Sequence, residues 1–112
     1  MKNYDKIYIN GQWVASEGSK TISVFDSTNE EVMATIPEGT AGDVAKAAAA
    51  AKAAFGSWST LPKADRAKYM SAIGDALVAR IDEISSAISR ETGMAKMLSN
   101  MIQVGLPINS FK

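Results

Sequence analysis

The sequence of 112 residues predicts an α+β chain, with β-hairpins and short strands first and three or four helices after them. Three observations carry this. Up to Pro37 apolar and polar residues alternate with a period of two, from Thr40 the period becomes helical, and the β-branched and aromatic residues that favour strands give way to alanine at the same point.

The strand region covers residues 1–37. In "KIYINGQWV", two short strands flank Asn10-Gly11, a pair that accepts the positive φ a two-residue hairpin turn demands. "TISVF" and "EVMATI" repeat the alternation, with turns supplied by Gly18 and by the cluster Asp26-Ser27-Thr28-Asn29. Pro37 ends the last strand because it cannot donate to a ladder.

The first helix is expected over 40–58, with Thr40 as N-cap and Asp43 three residues on, at the positive end of the helix dipole. Its body, "DVAKAAAAAKAAF", is dominated by the best helix former and reads as a scaffold helix. A second helical region is expected over 62–92, opened by Pro62 and closed by Gly93. Met70, Ile73, Leu77, Ile81, Ile84 and Ile88 draw one continuous stripe along it. The last helical region, 94–111, holds no acid, and its apolar residues wrap most of the way around a helical wheel, as in a buried element. Little chain remains to bury it. Its expected partner is therefore a further length of polypeptide or a second copy.

Composition narrows the chemistry. Twelve basic and twelve acidic side chains cancel, leaving no field to hold a polyanion, so nucleic acid is not an expected partner. Neither cysteine nor histidine occurs, which removes thiol catalysis, disulfides and most zinc and hydrolase chemistry. No apolar run reaches signal-peptide or membrane-spanning length, and the expected location is the cytoplasm, with no membrane partner.

Local motifs add no reaction centre. "IPEGTAGDVAKA" leads a strand through a glycine-spaced turn into a helix, but Glu38 and Asp43 would repel a phosphate and the full G-x-G-x-x-G is absent. A turn plus helix cap is the better reading. Glu30-Glu31 and Asp82-Glu83 are adjacent in sequence and so diverge, the serines lack a base, and Trp13 and Trp58 lack a surrounding basic patch. Glu91 stands out, because an acid at a helix C-terminus opposes the dipole unless a cation or donor answers it; pairing with neighbouring Arg90 or with solvent is the plainer alternative.

In order along the chain, "YINGQWV", "ISVFDSTNEEVMATIPEG", "GDVAKAAAAAKAAFGSW" and "DRAKYMSAIGDALVARIDEISSAISRETG" resemble the N-terminal region of the aldehyde dehydrogenase superfamily, with Trp58 and Arg66 at the family's separation. The resemblance implies an α/β enzyme family that oxidises aldehydes to carboxylic acids with NAD or NADP, through a cysteine nucleophile and a glutamate-activated water. It places these residues in the front part of the dinucleotide-binding domain, with catalytic and cofactor-gripping residues elsewhere, so neither activity nor bound cofactor is expected of this chain alone. The implied partner is the remainder of an aldehyde dehydrogenase chain. Some relatives hold a monovalent cation at positions matching Val24 and Glu91, which the resemblance makes the candidate cation residues. The sequence departs from the family pattern at Asp26-Ser27, where N-P is usual, and at Met94-Ala95, where K-P often follows the glycine. The competing expectation is a stand-alone helical module that self-associates through residues 94–111.

Overall fold

Five strands open the chain among the described residues: β1 (Lys2–Asn3), β2 (Lys6–Ile9), β3 (Gln12–Ala15), β4 (Thr21–Phe25) and β5 (Val32–Pro37). The computed structural model describes residues 2–111. They form two units, residues 2–25 with 31–60, and residues 26–30 with 61–111.

In the first unit, β2 and β3 pair antiparallel from Lys6 opposite Ala15 to Ile9 opposite Gln12. Asn10 and Gly11 close the hairpin at φ 53° and 75°, the doubly left-handed turn whose twist matches that of the strands. Tyr8 and Trp13 stand opposite each other, their rings edge to face at 5.2 Å. The other sheet runs β1-β5-β4, with β5 antiparallel to β4 and parallel to β1. Ala34, on the central strand, is the buried apolar residue of this unit. α1 (Ala41–Thr60) follows. Along its 20 residues the one buried side chain is that of Asp43, so alanine propensity rather than burial accounts for much of this helix.

The second unit holds α2 (Lys63–Ala79), α3 (Ile81–Thr92), α4 (Lys96–Leu98), a π-helical segment (Ser99–Val104) and α5 (Gly105–Phe111). The region expected as one stripe over 62–92 is therefore two helices. The break falls at Arg80 (φ −118°, ψ 17°), where no glycine or proline marks it. Arg80 grips Glu83 through Nε and Nη2 at 2.9 and 2.8 Å, and Asp82 and Glu83 place two acids in the first turn of α3, so a new helix N-terminus is stabilised there. Burial rises along the stripe: Met70 and Ile73 are exposed on α2, Leu77 near its end is half-buried, and Ile81, Ile84 and Ile88 are half-buried on α3. Gly93 ends α3 at φ 72°, its N–H donating to the Ser89 carbonyl at 2.9 Å.

The π segment resolves the apolar wrap of the tail into two faces. Its wider turn puts Ser99, Val104 and Ile108 on one line, five and then four positions apart, and all three are buried where the π segment meets α3 and α5 meets α2. Met97, Leu98, Met101, Ile102 and Leu106 fall on the other side and are exposed.

Candidate functional site

Two carboxylates organise the polar interior, one in each unit. Asp43 caps its own helix: its N–H donates to Thr40 Oγ1 at 3.2 Å, while its Oδ2 accepts from the Thr40 N–H at 2.9 Å, a reciprocal capping box. Ser16 Oγ donates to the same Oδ2 at 2.6 Å and the Glu17 N–H to Oδ1 at 3.1 Å, which ties the chain after β3 to the start of α1. These donors, Ser16 first and then the Thr40 amide, hold the Asp43 carboxyl well below the usual carboxylate range. Beside it, Glu17 pairs with Lys46 at 2.6 Å, and that hydrogen bond raises the lysine pKa.

Asp26 does the equivalent in the second unit. Thr28 donates to Oδ1 through its N–H at 3.0 Å and its hydroxyl at 2.5 Å, forming an Asx-type turn, and Arg90 Nε reaches Oδ2 at 2.5 Å. The Thr28 hydroxyl, followed by Arg90, lowers the Asp26 pKa to about 2. Ser27 completes the dock on the end of α3, its N–H donating to the Arg90 carbonyl at 2.7 Å and its hydroxyl to the Glu91 carbonyl at 2.5 Å. The two positions that depart from the family pattern, Asp26 and Ser27, thus anchor this turn. The turn itself is legible in the cluster Asp26-Ser27-Thr28-Asn29, whereas its dock on the end of α3 joins residues 64 positions apart and leaves no local signal.

Val24 lies half-buried on β4 in the first unit, at a register shift next to Phe25, and pairs with Ala34. Glu91 lies exposed in the last turn of α3 in the second unit. The donor that reaches Glu91 is Ser27, and it meets the backbone carbonyl. Of the two plainer partners expected for Glu91, Arg90 is engaged by Asp26, and the exposed side chain faces solvent. Among the described residues no three His, Cys, Asp or Glu side chains gather into a metal set. Glu30-Glu31 are exposed, and Glu83 is turned to Arg80, so neither acid pair converges on a common point.

A dinucleotide finds no cradle in the turn before α1. The Thr40 amide that would meet a phosphate already donates to Asp43, and Lys20 shares the adjoining hollow with Glu38. The broader grooves are open troughs: about 330 Å³ between the β2–β3 turn and Ala47, Ala50, Ala51 and Ala54, and about 450 Å³ along α2 beside Tyr69. Along α2 the lining is Leu61, Asp65, Lys68, Tyr69 and Ala72, with Lys68 paired to Asp65 at 2.8 Å.

Five short strands followed by helices give the described residues an α+β order. The chain belongs to the aldehyde dehydrogenase family, whose pattern it matches over residues 13–112. It is 37% identical over 107 residues to malonate-semialdehyde dehydrogenase 1 of Geobacillus kaustophilus, a match covering 95% of this chain and 22% of that protein. With the mitochondrial benzaldehyde dehydrogenase of Antirrhinum majus it shares 36% over 107 residues, covering 94% and 20%. Among solved structures it superposes on the aldehyde dehydrogenase of Bartonella henselae with a TM-score of 0.95 at 30% identity, covering 99% of this chain and 23% of that one. Aldehyde dehydrogenase C of Pseudomonas syringae, solved with NAD+ and octanal, gives 0.92 at 36% identity over 96% and 22%. The chain spans about a fifth of the length of these relatives. No described helix is long and apolar enough to cross a membrane.

Proposed function

We propose that these residues serve as the N-terminal part of the dinucleotide-binding domain of an NAD(P)-dependent aldehyde dehydrogenase, acting in the cytoplasm and oxidising aldehydes to carboxylic acids together with the remainder of such a chain. The observation that supports this best is the superposition on a solved aldehyde dehydrogenase over 99% of the chain at a TM-score of 0.95. With no cysteine to attack an aldehyde, these residues contribute scaffold: capped α1, its alanine face and the two hairpins. The experiment is a chimera in which they replace the matching segment of malonate-semialdehyde dehydrogenase 1. Expected is NADH formation by the chimera and none by the 112-residue chain supplied with aldehydes and NAD+ or NADP+. Turnover by that chain, or a folded chimera unable to bind NAD+, overturns the reading. Sequencing the gene beyond codon 112 gives a further check, since a nucleotide fold followed by a cysteine is expected there.

One observation favours a second reading, a helical self-association module: the exposed apolar face of the tail, from Met97 to Leu106.

A further inference from the structure

We infer that Pro107 is a register lock: it holds the tail in its π ladder and so fixes which tail side chains line the inside of the second unit. This rests on backbone hydrogen bonds and buried side chains within that unit and is independent of the enzyme reading.

The ladder enters the segment in α register, the Ser99 N–H donating at 3.0 Å to the carbonyl of Ala95, four positions back. It leaves in another. The Gly105 N–H reaches the carbonyls of Asn100 and Ile102, five and three positions back, where an α-helix would use Met101. A methyl group at 105 would stand 3.4 Å from the Asn100 oxygen, so the wide turn sets that carbonyl beside a residue with no side chain. Two positions on comes Pro107. In one unbroken α-helix from Lys96 to Phe111 it would lie in the interior, deprive the Gln103 carbonyl of its donor and press its ring against that oxygen. With the ladder changing between Val104 and Gly105, the same proline falls in the first turn of α5, where amides have no partner in their own helix.

Register decides what is buried. Counted from Ser99 in steps of four, an α ladder would turn Gln103 and Pro107 inward. The π turn adds one residue, so Val104 and Ile108 arrive there instead, 2% and 8% exposed, while Gln103 is exposed. The side chains at 103 and 104 therefore exchange places between the two registers. Ser99 begins both lines, fully buried and accepting from Ser89 Oγ at 3.0 Å. A buried Gln103 amide would need hydrogen-bond partners that Val104 does not, so burial and the proline favour the same ladder.

Alkylation of single cysteines by iodoacetamide tests this, since the 112-residue chain has no cysteine of its own. V104C should react at least about tenfold more slowly than Q103C. An interior proline disfavours an α-helix by roughly a hundredfold relative to alanine, so in a P107A background V104C should react at least about tenfold faster. S85C, at a fully buried position of α3, should keep its rate in that background, which separates a change of register from general loosening. The cysteine-free chain gives a second reading by NMR couplings across hydrogen bonds: the Gly105 amide should couple to Asn100 or Ile102, and P107A should bring in Met101. Equal rates at 103 and 104, a V104C rate indifferent to P107A, an S85C rate that rises with it, or coupling of Gly105 to Met101 in the parent chain overturns the proposal.

Discussion

Asp43 and Asp26 each gather several hydrogen bonds at a junction between chain segments. Replacing Asp43 by alanine removes the capping box and the tie to Ser16 together, and should lower Tm by on the order of 5 °C in a thermal melt followed by circular dichroism. Both carboxylates titrate below the unfolded value of 3.8, so their contribution is fully present above about pH 4 and is lost as pH falls through the folded pKa, about 2 for Asp26. The urea midpoint should therefore drop between pH 4 and pH 2, and Asp26→Asn should make that drop shallower while lowering the midpoint at pH 7. Gly93 is a backbone case: at φ 72° an alanine is strained, and Gly93→Ala should cost about 1 kcal/mol in urea unfolding. The capping role of Thr40 and the stop at Gly93 are legible in sequence, because both are local. The Asp26–Arg90 bond is not, since it joins residues 64 positions apart.

The helices differ in what sustains them. α1 is formed by alanine propensity and a strong cap, with little packing; α3 and the π segment are held by buried Ser85, Ser99 and Val104, with Ser89 Oγ donating to Ser99 Oγ at 3.0 Å. Hydrogen exchange read by mass spectrometry should show the second half of α1, from Ala51 to Thr60, losing protection before α3 does. Ile108→Ala on α5 should cost about 2–4 kcal/mol in urea unfolding, against less than about 1 kcal/mol for Ile73→Ala on the exposed face of α2. The sequence stripe from Met70 to Ile88 treats exposed Ile73 on α2 and half-buried Ile84 on α3 alike. The break at Arg80 separates them, and its signal, two acids beginning a new turn, is weaker than a glycine or proline would be.

Taken whole, the chain covers little of its own apolar surface. The buried apolar residues among those described are Ala34, Val104 and Ile108, while Trp13, Phe55, Met97 and Met101 are each about two-thirds exposed. The filled N-terminus of α1 carries a prediction at this scale: millimolar NAD+ should leave Tm of the 112-residue chain unchanged in a thermal-shift assay, because a ligand that binds the native state would raise it. The amino-acid sequence by itself determined the strand-to-helix order, the Asn10-Gly11 turn, the Thr40 cap, the absence of a thiol or imidazole, and the family resemblance, because these depend on neighbouring residues or on composition. The tertiary structure alone decided which side of the tail is buried, where the long helical region divides, and that Asp26 and Ser27 secure a turn to α3. Each of these depends on which distant group arrives at a given side chain, and period and propensity carry no record of that.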